Sequence, residues 1–207
     1  MVAFLSRLAV ALLLIAPAVA AQAGEPMETV RGGVERAVKI LEDPALTGAA
    51  HTAKRQKALS EIARGVFDFD EMSRRALGPY WRERTPEERQ TFVRLFTDLL
   101  ETTYFAKIDT YSAGTTFRYE GENIQGDEAT VRTTVTTPKG AELAISYRLF
   151  RKPDRWLVYD VDFDGVSLVS NYRAQFMQII RSSSFEMLVQ RLGTKPVGHS
   201  KPAGSGS

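Results

Sequence analysis

The chain contains no cysteine. That removes disulfides, thiol nucleophiles, a lipidated cysteine and every thiolate metal site. Histidine is almost absent, with His51 and His199 the two present. His199 lies in a loose Gly-, Pro- and Ser-containing tail, and His51 stands at an expected helix start beside Thr52. Cys–His and Ser–His nucleophile pairs therefore lack their parts, as do metal centres built on Cys or His. The net charge is only +2, and no basic run exceeds two residues, so no stripe of positive charge tracks a nucleic-acid backbone. Glycine-rich phosphate loops are missing; Gly32 and Gly33 form a lone pair without a preceding strand. There is no internal repeat. Past the first residues, no apolar run approaches the ~18 residues of a membrane-spanning helix.

What is present describes a globular protein. Hydrophobic residues make up 43% and charged residues 25%, enough for a real core. Residues 8–15 are a continuous apolar run behind Arg7, too short to span a bilayer, and Pro17 ends it. Ala21, Gln22 and Ala23 then supply the small–x–small pattern that signal peptidase reads. The expectation is a signal peptide over residues 1–23, cut after Ala23, with the Ala18, Val19, Ala20 triplet as the second choice. It makes the protein exported and soluble, most naturally in a Gram-negative periplasm. At the other end, residues 194–207 are rich in Gly, Pro and Ser and carry Val197 as their single large apolar residue, which predicts a disordered tail. One domain is expected over 24–193.

The first half of that domain reads helical. Val30, Val34, Val38 and Leu41 recur at helical spacing before Pro44 and Gly48 stop them. A second helix is predicted over about 52–65, and a third, short one capped by Asp68 or Asp70 and ended at Gly78 and Pro79. Thr85, Pro86 and Glu88 form a capping box. The long helix they open carries an apolar stripe of Phe92, Leu95, Phe96, Leu99, Leu100 and Thr103, extended by Tyr104, Phe105 and Ile108. Its plainest role is to pack under a sheet. The period then changes. "TTFRYEGE", "EATVRTTVTT", "AELAISYRLF" and "RWLVYDVDF" are strand candidates joined by short turns, which predicts an antiparallel meander. Two helices close the chain, one from about Ser167 with Leu168, Tyr172, Phe176, Ile179 and Ile180 inward, the other begun at Ser183. The fold class is α+β: N-terminal helices, a four- to five-stranded antiparallel meander, and C-terminal helices packed on the sheet.

"DVDFDG", from Asp160 to Gly165, matches the opening of a calcium loop, D-x-D-x-D-G. The match fails further on. Such a loop needs a bidentate Glu at its twelfth position, and that position holds Asn171. Strand alternation offers a different account. Leu157, Tyr159, Val161 and Phe163 share one face; Trp156, Val158, Asp160, Asp162 and Asp164 share the other. The acids then sit on the solvated end of a strand. Asp160 and Asp162 remain a conceivable acid–base pair, but no partner residue supports one.

Two stretches carry a family likeness. "FDFDEMSRRALGPYWRERTPEERQTFVRLFTDLLETTY" resembles a pattern of F-D-F, A-L-G, a Trp and a helix of spaced Phe and Leu. "RWLVYDVDFDGVSLVSNYRAQFMQII" resembles W-x-V-x-D-V-x-x-x-G-V-S-L-V-x-x-Y-R-x-Q-F. Both are patterns of the MlaC, or toluene-tolerance auxiliary, family, and the likeness spans about residues 28–192. The resemblance implies a non-enzymatic periplasmic phospholipid carrier, on a fold partly similar to nuclear transport factor 2. It implies a pocket for acyl chains between sheet and helices, and no cofactor. The partners it implies are an inner-membrane MCE-protein/ABC-transporter complex, whose ATPase is a separate chain, and an outer-membrane lipoprotein–porin complex. Periodicity and that architecture together nominate Phe96, Leu99, Leu100, Phe105, Tyr147, Val158, Tyr159, Val161, Leu168, Tyr172, Phe176 and Ile180 as lining. Arg148 and Arg173 are the candidates to meet a phosphate, with a solvated surface role the plainer reading. The alternatives are a hopanoid or other isoprenoid cargo, a periplasmic enzyme using Asp160 or Asp162, and an adaptor with a closed core.

Overall fold

The computed structural model describes residues 25–108 and 113–194, apart from the side chains of residues 105–108. The expected signal peptide and the expected tail lie outside these residues. Among the described residues, six α-helices and five strands follow in the order α1 Pro26–Leu41, α2 Thr52–Val66, α3 Phe69–Leu77, α4 Pro86–Ile108, β1 Thr116–Gln125, β2 Glu128–Thr136, β3 Glu142–Arg151, β4 Trp156–Phe163, β5 Val166–Ser167, α5 Leu168–Ser182 and α6 Phe185–Thr194. The α+β class is as expected.

Local chemistry explains the boundaries. Asp68 caps α3 by accepting the Glu71 N–H at 3.0 Å. Gly78 ends α3 at φ 60°, a backbone conformation that an L side chain resists. The α4 capping box forms in both directions: the Glu88 N–H donates to the Thr85 hydroxyl, and the Thr85 N–H to the Glu88 carboxylate. Ser167 caps α5 through the Ser170 N–H. The cap of α6 falls one residue later than expected, at Ser184, whose hydroxyl accepts the Met187 N–H.

The strands form one antiparallel sheet in sequence order, β1-β2-β3-β4-β5. One face packs on α1 and α2. Val30 and Val66 meet Ala129, Val131, Ile145, Leu149, Trp156, Val158 and Val161 there. The helices α1 and α2 cross closely at Gly33, where an added Cβ would stand 2.9 Å from Val66 Cγ2. A second apolar cluster is wholly helical. Met72, Ala76 and Leu77 of α3, the stripe of α4, Tyr172 and Phe176 of α5, and Phe185, Leu188 and Leu192 of α6 enclose it. So α4 does not pack under the sheet. Its neighbours are α3, α6, α2 and, through its aromatic rings, α5, and Tyr104 carries it to the sheet by stacking on Phe163. The reason lies in what surrounds its stripe: Phe92 and Phe96 find Tyr172, Phe176 and Phe185 close by on α5 and α6, and complete their shell without a strand.

Residues 67 and 68 join the two halves. Phe67 bridges to Val158, and the Asp68 N–H donates to the Val158 carbonyl at 2.8 Å, covering the open edge of β4. The Asp68 carboxylate meets Lys152 Nζ at 2.6 Å, which ties the turn between β3 and β4 to the start of α3.

Candidate functional site

The pairing of β3 with β4 breaks step once. Arg148 pairs with Asp160 and Leu149 with Val158, so Tyr159 and Asp160 together oppose one residue. This is a β-bulge, and it reverses the alternation halfway along β4. Trp156, Val158 and Val161 consequently fall in one apolar cluster, with Phe163 packed against it. Tyr159 goes to the other side, beneath the Arg75 guanidinium, which lies 3.9 Å from its ring centroid. The expected sharing of a face by Tyr159, Val161 and Phe163 is therefore wrong. A bulge is what a strand needs when strict alternation would mix Val158 with Asp160 and Asp162 on one apolar face.

The three acids also differ from expectation. Asp164 is exposed and bonds the Ala144 N–H, with its own backbone at φ 49°. Asp162 is half-buried and accepts the Gly165 N–H at 2.6 Å. Asp160 is not solvated at all: it is 3% exposed. Its carboxylate accepts from the Ser167 hydroxyl at 2.6 Å, the Val169 N–H at 3.0 Å and Arg148 Nη1 at 3.1 Å. These bonds satisfy an N-terminal amide of α5 and pin that helix to β4. Every part of the carboxylate is thus engaged in structure, and no proton-transfer partner faces it. Among the described residues no cluster of acids and histidines is placed to hold a metal ion.

The nominated lining residues separate into groups. Phe96, Leu99, Leu100, Leu168, Tyr172 and Phe176 are buried in the helical cluster, and Ile180 packs half-buried against it. Val158 and Val161 are buried in the sheet cluster, with Tyr147 half-buried on it. Tyr159 faces elsewhere, and the Phe105 side chain lies outside the described residues. The two clusters are contiguous at Phe67 and Phe163, which pack against both. Around that seam the apolar surface is incompletely covered. Phe67 and Phe163 are half-buried rather than closed over, as are Tyr104 on the bundle side and Val135, Leu143 and Tyr147 on the sheet side.

Polar chemistry at the seam is muted. The Tyr104 and Phe163 rings stack with centroids 6.0 Å apart and planes 5° from parallel. Burial, then the neighbouring Tyr172 hydroxyl, pushes the Tyr104 phenol up to about 12. Burial does the same to Tyr147, also to about 12, against a hydrogen bond with Thr133. Both rings stay neutral at physiological pH, so the seam presents apolar surface with uncharged hydroxyls.

Sequence reasoning missed Phe67, Leu143 and Val135 here, and did not nominate Phe163 or Tyr104 as lining. Half-burial leaves no trace in periodicity, and the bulge that swings Phe163 onto the same face as Val158 was hidden by strict alternation. It named Arg148 and Arg173 as candidates to meet a phosphate, but not the cleft on the other side of β4 that brings them together. There Arg74, Arg75, Arg82, Arg148 and Arg173 gather around Tyr159, Asp160 and Trp81 in about 760 Å³.

Fold and seam define a class: an α+β binding protein whose apolar core is divided between a sheet layer and a helical bundle. The family model of the MlaC protein matches residues 32–194. The chain belongs to the MlaC family, a family of lipid-binding transport proteins and not of enzymes. It is 24% identical over 123 residues to the intermembrane phospholipid transport system binding protein MlaC of Haemophilus influenzae, a match spanning 57% of this chain and 57% of that protein's length. It is similar to the solved structure of a phospholipid-binding protein from Ralstonia solanacearum in complex with a phospholipid. The TM-score is 0.74 and the identity 28%, over 82% of this chain and 96% of the other.

Proposed function

We propose that the protein is a periplasmic phospholipid carrier that seats acyl chains along the seam between sheet and helical bundle. The observation that carries this reading is the division of the core. Two buried apolar clusters meet at rings that are only half covered, Phe67 and Phe163, flanked by half-covered Tyr104 on the bundle side and Tyr147 on the sheet side. The phospholipid in the Ralstonia relative supports the choice of ligand.

Energetics say why a carrier is needed. Each acyl CH₂ withdrawn from water is worth ~0.8 kcal/mol, so two chains cost on the order of 20 kcal/mol when bare in water. A lipid crosses an aqueous compartment usefully only with its tails covered. Tyr147, Val158 and Val161 supply the sheet wall of the seat in this reading. Phe96, Leu99, Leu100, Leu168, Tyr172, Phe176 and Ile180 supply the bundle wall. Uncharged hydroxyls at Tyr104 and Tyr147 tolerate ester groups near the mouth.

The carrier takes its cargo from one membrane and delivers it to another. Its docking partners are an inner-membrane MCE-protein/ABC-transporter complex and an outer-membrane lipoprotein–porin complex, and it helps maintain outer-membrane lipid asymmetry. Residues 1–23 export it and are removed after Ala23. The test is native purification of the mature protein followed by lipid extraction and mass spectrometry. Stoichiometric phospholipid is the expected result. An empty protein removes the reading, and hopanoid in its place changes the cargo.

A further inference from the structure

The arginine cleft lies on the face of β4 that carries Tyr159 and Asp160, bordered by Trp81 and Val169 of the helical cluster, and nothing in the carrier reading uses it. Its five arginines come from four separate segments: Arg74 and Arg75 from α3, Arg82 from the turn after it, Arg148 from β3 and Arg173 from α5. Lining the same space are two acids, Asp160 and Glu83. Asp160 is already committed to Arg148, Ser167 and Val169. Glu83 reaches Arg84, outside the cleft, at 3.5 Å. Glu71 holds Arg74 and Arg75 from behind. Arg82 and Arg173 have no carboxylate partner among the described residues.

Two features show that these cations are placed rather than merely crowded. Arg75 is stacked on the Tyr159 ring at 3.9 Å, which only the bulge in β4 makes possible. Arg173 is seated against the backbone of Gly78, where its Nε is 2.9 Å from the point an added Cβ would occupy. Any other residue at position 78 would displace that guanidinium, and the φ of 60° disfavours it as well. Arg148 keeps 43% of its side chain exposed while bonded to Asp160. The planar forks of such side chains match tetrahedral and planar oxyanions. The cleft's volume falls within the range of small-ligand sites.

We propose that this cleft binds a phosphate-type oxyanion, with Arg173 and Arg82 as its free donors and Arg75 and Arg148 as its fixed walls. The anion comes either from the headgroup of a carried lipid or from free phosphate esters. The headgroup source alone rests on the carrier reading; the site itself does not.

The test uses the mature protein, both delipidated and as purified, in phosphate-free buffer. Inorganic phosphate and glycerol 3-phosphate are titrated by calorimetry and ³¹P NMR. The delipidated protein is expected to bind both saturably, more weakly at high salt. Arg173→Gln and Arg82→Gln should each weaken binding about tenfold or more, as loss of a charged hydrogen bond does. Unchanged circular dichroism and melting confirm that the variants stay folded. If the protein as purified does not bind phosphate, the bound lipid's headgroup fills the cleft. Equal binding by both forms assigns the site to a free anion. Absence of saturable phosphate binding by the delipidated protein overturns the proposal, as does affinity unchanged in both variants. Binding of a Glu-rich peptide with no phosphate binding also overturns it and makes the cleft a protein contact. None of these results alters the lipid content that tests the carrier.

Discussion

Asp160→Ala should be among the most damaging single substitutions available in this protein. The carboxylate is 3% exposed and accepts three hydrogen bonds. Alanine removes all three acceptors together. The Val169 N–H, on a residue 5% exposed, then has no partner and too little access to water to find one. An orphaned buried donor costs about 1–3 kcal/mol. Loss of the negative charge at the N-terminus of α5 adds about 0.3–1 kcal/mol. The Ser167 hydroxyl can rotate towards solvent, and Arg148 is exposed enough to hydrate, so those losses are small. The total comes to ~3 kcal/mol. Asp160→Asn keeps one acceptor oxygen for the Val169 N–H and should cost about half as much. Guanidinium unfolding of the mature protein, with the denaturant slope checked for constancy, reads both numbers. An alanine variant within ~0.5 kcal/mol of wild type, a typical surface effect, would refute the pinning role. The asparagine variant should also keep its full lipid content, whereas a reading that gives Asp160 chemical work predicts a change of function with little change of stability.

Phe96→Ala empties the centre of the aromatic group it forms with Phe92, Tyr172 and Phe176, and should lower stability by about 3–5 kcal/mol in the same unfolding assay. Gly33→Ala forces a Cβ to within 2.9 Å of Val66 at the α1–α2 crossing and should cost ~1–3 kcal/mol through overpacking. Phe163→Asp puts a charge on a half-buried seam residue; the protein should stay folded by circular dichroism yet lose most of its co-purifying phospholipid by mass spectrometry. Alkaline stability follows from Tyr104 and Tyr147. The folded protein holds their protons to about 12, while unfolded tyrosines titrate near ~10. Their contribution is therefore intact below pH ~10 and falls away as pH rises towards about 12, so Tyr147→Phe should blunt the alkaline loss of melting temperature.

Much of the fold was readable from residue order. Thr85 with Glu88, Ser167 after a glycine, and Gly78 after a short amphipathic run are local signals, and each terminus they mark is set by local hydrogen bonds. The antiparallel meander followed from turns too short for crossovers. What could not be read was set by packing between distant segments. The α4 stripe looked like a sheet-facing surface because a wide apolar face carries no label for its partner; here Phe176 and Phe185, some eighty to ninety residues further along the chain, take that role. The bulge at Tyr159 depends on β3 sliding by one residue against β4, which neither strand encodes alone. Even so, β4 held a clue. Asp160 and Asp162 in the same parity as Trp156 and Val158 make an inconsistent face, and one inserted residue resolves it. Arg148 and Arg173 could be named one by one, but Arg75 and Arg173, nearly a hundred residues apart, become neighbours through the close packing of α3 and α5, so the gathering of five arginines in one cleft had no sequence signature.

The central claim is that acyl chains lie along the seam where the two apolar clusters meet. A phospholipid carrying a photoactivatable diazirine midway along one acyl chain, loaded into the mature protein and irradiated, reports that position by peptide mapping. The account predicts adducts on Phe67, Tyr104, Tyr147, Val161 and Phe163. Adducts confined to the outer face of α5 around Met177, or to the arginine cleft, would contradict it.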